Sequence, residues 1–455
     1  MTQRKRSKPS LKRLRRRSVE FDFNGGTLTS DAGLLLLRQV EQQIGLIDAI
    51  NQCIPDPRDQ RFVVHGQREM LASRIFAIAA GYEDENDHND LRHDPVIQTV
   101  AEKEPDSSSP TASPSTLCRL ENRITRKSMI GIHEVLVDQW LNSYASEPDE
   151  IVLDFDATDD PIHGQQQGRF FHGYYRSYCY LPLYVFCGSH PLVAYLRSSN
   201  IDAAKHSRAI IRLLVTKIRE RFANVKIIVR GDSGFCRWKI MRSCDRLGVK
   251  YIFGLAKNPS LHRLAGELKE QAQEQYETTG QKQRLFTWIR YAAGTWDRER
   301  LVVAKAEHTS KGENPRFVVT NMFDDTLSGD AEASPAMNPG DFYDQRYCQR
   351  GEMENRIKEQ QLCMFADRTS CSDMLANQFR LLLSTAAYVL VDSFRRLALS
   401  GTQWATARCD TIRLKLIRVA ARVVVSARRV VFHLSNHCPY ESTFSNAMKR
   451  LCDSS

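Results

Sequence analysis

Three acidic residues that are far apart in the sequence occur where a metal-dependent nuclease site needs them. Asp156 ends an apolar run, EIVLDFDATDD, and Asp232 ends a second one, VKIIVRGDSGF. Glu354 lies in YDQRYCQRGEMENRIKE, a segment whose pattern is typical of a helix. Carboxylates at strand ends, together with one on a helix, can hold two Mg²⁺ ions for phosphoryl transfer on nucleic acid. The sequence therefore predicts Asp156, Asp232 and Glu354 as metal ligands, with Mn²⁺ able to replace Mg²⁺.

Both aspartates have a local alternative. Alternate residues of a strand share a face, so Asp154 points the same way as Asp156 and either could face a metal. Asp156 is nearer the carboxyl end of the strand, where sites of α/β proteins form. Asp232 is followed by Ser233, and this pair could instead cap the next helix.

The Glu354 segment carries further groups suited to phosphate. Spacings of three, four and four residues place Tyr347, Arg350, Glu354 and Lys358 on one helical face. Cations beside metal ligands would bind non-bridging phosphate oxygens, and arginine can do so through two hydrogen bonds. The alternative is a solvated ladder of ion pairs that contributes little to stability.

Positive charge is concentrated at the amino-terminal end. The chain has 455 residues and a formal charge of +10, but the first 17 residues contain nine basic residues and no acidic one. Such an arm binds nucleic acid without sequence preference, or simply increases solubility. The twelve cysteines have no CxxC spacing, which argues against a zinc site and for a reducing cytoplasm. The longest apolar stretch, LLLSTAAYVLVDSF, is too short and too polar to predict a membrane span.

The hydrophobic period predicts a multidomain α/β protein. The segments before residue 146 are mostly helical and suit either a helix-turn-helix DNA reader or an ordinary helical domain. From residue 150, strands and helices alternate. The predicted parts are a disordered basic arm (1–18), a helical DNA-binding domain (19–145), the first part of a catalytic core (146–258), a β-rich insertion (259–340), the second part of the core with the Glu354 helix (341–400), and basic carboxy-terminal helices (401–455).

The order of these motifs resembles that of the bacterial DDE transposases. YCQRGEMENRIKEQQ is similar to the Tyr-x2-Arg-x3-Glu-x6-Lys signature of insertion-sequence transposases, which Tyr347, Arg350 and Glu354 match. The signature's lysine would fall at Gln361, and Lys358 is its candidate replacement one turn earlier. DFDATDDPIHGQQ, VRGDSGF, GYEDENDHNDLRHDP and STLCRLENR resemble the thirteen-eighty family of insertion sequences, so the resemblance covers most of residues 20–400.

This resemblance implies an architecture and further DNA contacts. It implies an RNase H-like mixed sheet flanked by helices, an all-α amino-terminal domain that reads terminal inverted repeats, a mostly β insertion and carboxy-terminal helices. It also implies that an insertion tryptophan stacks on a flipped base, with Trp288 and Trp296 as candidates; packing in a small β layer is the alternative. His163, in DPIHGQ, is a candidate DNA contact or an ordinary turn histidine.

The sequence and the resemblance together predict a cut-and-paste DNA transposase. Magnesium-dependent cleavage at the element ends would free a 3′-hydroxyl that then attacks target DNA. Expected partners are double-stranded DNA, as inverted repeats and as target, and a second copy of the chain in a homodimer on DNA, with no membrane. The expected location is the bacterial cytoplasm, at the nucleoid. The alternatives are an RNase H-like enzyme that only cleaves and a DNA-binding protein without catalysis.

Overall fold

The chain is divided into two units in the computed structural model, which describes residues 10–105, 109–324 and 335–453. Unit 1 contains Met1–Glu121 and Leu390–Ser455, and unit 2 contains Asn122–Val389. Unit 1 is therefore built from both ends of the chain, and unit 2 from the segment between them.

The helices and strands have the following bounds. The α-helices are α1 (Leu34–Ile44), α2 (Leu46–Gln52), α3 (Gln67–Ala80), α4 (His88–Leu91), α5 (Pro95–Val100), α6 (Pro114–Glu121), α7 (Arg126–Asn142), α8 (Ser207–Arg221), α9 (Trp238–Arg246), α10 (Pro259–Leu264), α11 (Gly266–Thr279), α12 (Pro339–Asp341), α13 (Gly351–Met364), α14 (Met374–Ala398), α15 (Cys409–Ile412) and α16 (Glu441–Asp453). The strands are β1 (Ser10–Leu14), β2 (Arg17–Glu20), β3 (Leu28–Thr29), β4 (Glu150–Ala157), β5 (Asp160–Pro161), β6 (Phe170–His172), β7 (Ser177–Tyr180), β8 (Leu183–Cys187), β9 (His190–Tyr195), β10 (Lys226–Gly231), β11 (Lys250–Leu255), β12 (Gln283–Tyr291), β13 (Arg300–Thr309), β14 (Gly312–Glu313), β15 (Arg316–Thr320), β16 (Ala421–Ser426) and β17 (Arg429–Leu434).

A large mixed sheet forms the centre of unit 2. Among the described residues it has nine strands, in the order β12-β13-β15-β11-β10-β4-β8-β9, with β14 paired to β13. The central strands β4, β10 and β11 are parallel, and antiparallel pairs join β8 to β4 and β15 to β11. The apolar run of β10 suits a strand that is covered on both faces. The predicted multidomain α/β class is confirmed.

Different elements cover the two faces of this sheet. On one face, Leu153 and Phe155 of β4 pack in a core that also contains Trp140 of α7 and residues of α8 and α9. On the other face, Ile228 and Ile252 pack against Phe342, which begins the π-helical turn Phe342–Tyr347. The second face is the one to which Asp154 and Asp156 point, because they alternate with Leu153 and Phe155.

Unit 1 is mostly helical and is closed by a short sheet. Strand β3 pairs with β16, with Thr29 opposite Ala421, and β16 pairs with β17. The backbone N–H groups of Ala32 and Gly33 donate to the carbonyls of Val419 and Ile417, each at 3.0 Å. The backbone N–H groups just before α1 thus find their hydrogen-bond acceptors in the carboxy-terminal part of the sequence.

Two terminal predictions are wrong in the described region. The arm predicted to be disordered over 1–18 forms the β1–β2 hairpin in its second half, with Leu11 opposite Val19, whereas residues 1–9 lie outside the described residues. The segment predicted as basic helices over 401–455 contains the β16–β17 hairpin before its final helix, α16. β-branched valines flank the Ala427–Arg428 turn, and their preference for strands outweighs the helical spacing of the arginines.

The predicted boundaries within the central part also differ from the structure. Helix α7 falls in unit 2, not in the amino-terminal helical part, because its apolar face packs on the main sheet through Trp140. The insertion predicted over 259–340 does not form a separate β layer, since β15 pairs with β11 and the insertion strands extend the main sheet. Residues 325–334 of that range lie outside the described residues.

Helix α14 is long and apolar enough to cross a membrane by length and composition. However, 83% of its most apolar window is buried inside the protein. That degree of burial is typical of the core helix of a folded domain, so the helix is weak support for a membrane span.

His88 gives unit 1 a predicted sensitivity to acid. Its side chain is fully buried, and neither ring nitrogen has a hydrogen-bond partner among the described residues. Burial, assisted by the charge of Arg74, lowers the pKa of His88 from 6.5 to about 3. As the pH falls from 6.5 towards 3, the unfolded chain binds a proton that the folded unit does not, so stability is lost in that window.

Between pH 7 and pH 4 this residue should lower the free energy of unfolding by about 3 kcal/mol, since one pKa unit corresponds to 1.36 kcal/mol. Urea unfolding of the wild type and of His88→Leu over this pH range measures the effect. The variant should lose less stability on acidification, while the exposed-residue control His437→Gln should behave as the wild type does. Parallel pH profiles for wild type and His88→Leu would contradict this assignment.

Candidate active site

Strands β4 and β10 bring two predicted ligands to one edge of the sheet. These strands are parallel neighbours in register, with Phe155 opposite Gly231. Asp156 directly follows Phe155, and Asp232 directly follows Gly231. The two aspartates therefore lie side by side at the carboxyl ends of the two strands. The Asp232 carboxylate accepts a hydrogen bond of 2.8 Å from the Gly234 N–H, which fixes the turn after β10.

The structure distinguishes Asp154 from Asp156. Asp154 is buried and paired with Arg230 of β10 through two hydrogen bonds, of 2.5 Å and 2.7 Å. Asp156 is partly exposed, and its closest cation is Arg350, at 4.0 Å. Asp154 therefore has a structural partner within the sheet, whereas Asp156 is available at the edge. Sequence reasoning missed Arg230, although a charged residue in the apolar run of β10 was a visible signal.

The segment that carries Tyr347, Arg350 and Glu354 is not one regular helix. It is a π-helical turn (Phe342–Tyr347), then a 3-10 turn (Cys348–Arg350), then α13. The predicted regular helix is therefore wrong, since only Glu354 and Lys358 lie on an α-helix, but Arg350 and Glu354 still pair as residues on one helical face do. π-turns of this kind are frequent at functional sites.

Arg350 nevertheless joins the acidic residues of both elements. Its guanidinium lies 2.6 Å from the Glu354 carboxylate and 4.0 Å from that of Asp156. Burial raises the pKa of Asp156 to about 6; the charge of Arg350 acts against this rise, and the charges of Asp232 and Glu354 add to it. Asp232 and Glu354 are thus each close enough to Asp156 for their charges to repel its carboxylate.

Tyr347 lies over the strand next to Asp232. A Cβ built on Gly254 of β11 would be 2.6 Å from the Tyr347 hydroxyl and 2.9 Å from the Ser233 nitrogen. Burial raises the pKa of the Tyr347 hydroxyl, with a smaller contribution of the same sign from Asp232. Gly254 therefore makes room for the tyrosine, and this requirement was not visible in the sequence pattern.

Gln361, at the position of the signature's lysine, contacts the loop after β4. Its side-chain amide donates to the backbone carbonyl of Asp159 at 3.2 Å. Lys358, its candidate replacement, is exposed on α13. Gln361 thus links the helix of Glu354 to the loop that follows Asp156.

The remaining predicted DNA contacts are Trp288, Trp296 and His163. Trp288 is partly buried, packs on Phe323 and Phe342, and donates from its indole nitrogen to the Met337 carbonyl at 3.1 Å. Trp296 packs on Tyr291, with its ring centroid at 5.3 Å. The packing alternative therefore describes both tryptophans in this structure. His163 is exposed, two residues beyond β5.

The acidic residues suit a divalent cation in their chemistry. Carboxylate oxygens are the ligands that Mg²⁺ prefers, and a cation would offset the burial and the neighbouring negative charges that together raise the pKa of Asp156. Among the described residues, no three His, Cys, Asp or Glu side chains converge closely enough to bind one ion. The Glu354 carboxylate is instead paired with the Arg350 guanidinium.

The chain matches a family of known proteins and is similar to solved structures. The family described as "Transposase DDE domain group 1" matches residues 11–455. A search of curated proteins finds no significant match. Among solved structures, the piggyBac transposase synaptic complex with hairpin DNA is similar, with 10% identity, a TM-score of 0.41, and coverage of 86% of this chain and 80% of that chain. A similarity of this size does not identify equivalent residues.

Proposed function

This chain belongs to the transposase DDE domain group 1 family, and on that premise we propose that it is a cut-and-paste DNA transposase. It would cleave DNA at the ends of its element and join the freed 3′-hydroxyl to target DNA. The observation that carries the proposal is the placement of Asp156 and Asp232 side by side at one sheet edge, with Glu354 coupled to them through Arg350. In our proposal the core is RNase H-like, since β4, β8, β9, β10 and β11 follow one another in the sheet order β9-β8-β4-β10-β11.

Asp156, Asp232 and Glu354 would hold the two Mg²⁺ ions, with Mn²⁺ as an alternative. Bound there, the ions would supply activation of the nucleophile and stabilisation of the leaving oxygen. Release of Glu354 from Arg350 would free both groups, the carboxylate for the metal and the guanidinium for a phosphate. Tyr347 would support the position of Arg350, and Lys358 would reach the DNA backbone from the exposed side of α13.

The expected partner is double-stranded DNA, both as inverted repeats and as target. The β1–β2 hairpin and the arginines of β16 and β17 would provide salt-dependent affinity for phosphates. We further propose a homodimer on DNA, because two element ends must be joined. Membership of the thirteen-eighty group of bacterial insertion sequences, and a cytoplasmic location at the nucleoid, remain proposals that rest on the motifs of the sequence.

Wild type and Glu354→Ala should differ completely in DNA cleavage. A plasmid that carries the element's own ends, incubated with Mg²⁺, should yield excised element and joined product with the wild type only. Glu354→Ala should still bind the ends, because the change removes a carboxylate that faces anionic DNA. Exposed Glu352→Ala, on the same helix, is the matched control and should retain activity.

The alternatives give other results in the same assay. Cleavage without a joined product would indicate an RNase H-like nuclease. Binding of the ends by both proteins, with no cleavage by either, would indicate a DNA-binding protein that lacks the chemistry and would overturn the catalytic proposal.

A further inference from the structure

A group of exposed aromatic side chains lies between β4 and β8. Phe170 is opposite Cys179 and lies on the other face of β6. We call Phe171, Tyr174 and Tyr178 the aromatic surface; their exposed fractions are 58%, 84% and 48%. They belong to the β6–β7 hairpin, in which Phe171 is opposite Tyr178 with ring centroids 5.6 Å apart. Large exposed apolar side chains that cluster in this way mark an interaction site.

The topology of the sheet places this surface at the edge that carries the acidic residues. The chain leaves β4 at Ala157 and enters β8 at Leu183, and these two residues are paired. Everything between them, including the β6–β7 hairpin, therefore extends from the end of β4, next to Asp156. The small sheet β5-β7-β6 continues directly from that point, with Asp160 opposite Tyr180. Tyr175 is near enough to Asp156 and Asp159 for their charges to add to the effect of burial in raising its pKa.

The hairpin is held in place by hydrogen bonds, so the aromatic surface has a fixed position. The Ile162 N–H donates to the Tyr178 carbonyl at 2.9 Å, and the Ser199 hydroxyl donates to the Phe170 carbonyl at 2.9 Å. At the tip, the Arg176 N–H donates to the His172 carbonyl at 2.8 Å, and Arg176 has a positive φ of 53°. Tyr174 projects from this closed turn, and its ring meets that of Tyr175 edge-on at 5.0 Å.

The chemistry of the surface suits bases that have a free face. Exposed rings stack on nucleobases of any sequence, and arginine adds charge attraction to phosphates. Here the Arg169 guanidinium lies 4.8 Å from the Tyr178 ring centroid, and Arg176 is exposed beside Tyr174. Inside a duplex every base is stacked on both faces, so unpaired nucleotides have much more free base surface for these rings. The insertion tryptophans offer no comparable surface, because both are engaged in packing.

We propose that the aromatic surface, with Tyr174 at its tip, stacks on unpaired nucleotides next to the phosphodiester at the acidic edge. This inference rests on the proposed function and extends it, since it names the state of the DNA that the site holds. It would keep a separated strand in place beside Asp156 and Asp232.

Binding of DNA with unpaired nucleotides tests the inference without catalysis. The probe is a duplex with about four unpaired nucleotides at one end, one of them 2-aminopurine, compared with the blunt duplex, both in EDTA. The wild type should bind the unpaired end more tightly and quench 2-aminopurine fluorescence. Tyr174→Ala should reduce this preference by about tenfold or more, whereas Tyr174→Phe, which keeps the ring, should preserve it.

Phe23→Ala is the matched control, because Phe23 is 97% exposed but belongs to unit 1; it should bind as the wild type does. Equal binding of both DNAs by the wild type, or an unchanged preference in Tyr174→Ala, would overturn the inference and leave the proposed function standing. A DNA-free dimer that only Tyr174→Ala dissociates would also overturn it, since the surface would then be a contact between chains. If the wild type binds neither DNA, the proposed function itself fails.

Discussion

Asp156→Asn should leave the protein folded and able to bind DNA but should lower strand cleavage by about 10³-fold. The reason is that an amide would replace the carboxylate that we propose as a metal ligand, while the shape of the side chain is kept. A metal ion contributes several kcal/mol of charge stabilisation in the transition state, and each 1.36 kcal/mol corresponds to a factor of ten in rate. Nicking of a supercoiled plasmid that carries the element ends, at matched DNA occupancy, measures the loss.

Asp154→Asn is the matched comparison, and its main effect should be on stability. Asp154 shares a strand face with Asp156, but it is buried in the bidentate pair with Arg230. Removing its charge leaves a buried guanidinium without its counterion, which should lower the free energy of unfolding by about 3–5 kcal/mol. Urea unfolding of the two variants separates these roles. A stable, inactive Asp154→Asn together with an active Asp156→Asn would reverse the assignment.

Gly33→Ala should destabilise unit 1 severely. A Cβ on Gly33 would lie 1.8 Å from the Leu416 carbonyl oxygen and 2.5 Å from the Ile417 Cα. Both are backbone atoms, so no side-chain rotation relieves the clash, and the Gly33–Ile417 hydrogen bond must break. Overpacking typically costs 1–3 kcal/mol, and here we expect about 3 kcal/mol or more. Fluorescence of Trp404, which lies in unit 1, reports the unfolding.

Gly66→Ala is the control for this change. Gly66 has a φ of −61°, and a Cβ there would meet no atom within 4 Å. Its free energy of unfolding should remain within about 0.5 kcal/mol of the wild type. If Gly33→Ala unfolds at the same urea concentration as Gly66→Ala, the two ends of the chain are not in the close contact that the structure shows.

The sequence was most informative where function and local pattern coincide. Apolar runs that end in Asp156 and Asp232 predicted strand ends, and parallel pairing then places the two carboxylates side by side. Glu354 could be selected because it follows both strands within a polar helical segment. The DDE transposase family predicted from these motifs is confirmed by the match over residues 11–455, whereas the thirteen-eighty group stays a prediction.

The remaining features depend on contacts between distant parts of the chain. Position near the strand end favoured Asp156 over Asp154, but the contact that separates their roles is made by Arg230 on another strand. The π-turn at Phe342–Tyr347 changes the helical position of Tyr347, and the spacing of residues in the sequence does not predict this turn. The β16–β17 hairpin forms where its valines pair, although its arginines occur at helical intervals. Residues 1–121 form one unit with a segment that begins only at Leu390, and no local pattern predicts this long-range association.

Unit 1 is built from both ends of the chain, and this affects when it can fold during translation. Helices α1–α6 are synthesised first, but β16, which pairs with β3, follows only after all of unit 2 has been translated. At ~5–20 residues per second, this delay amounts to roughly tens of seconds. During that time the early helices lack their partners, so products of interrupted translation would contain an incomplete unit 1. Only a polypeptide translated through residues 390–453 can complete it.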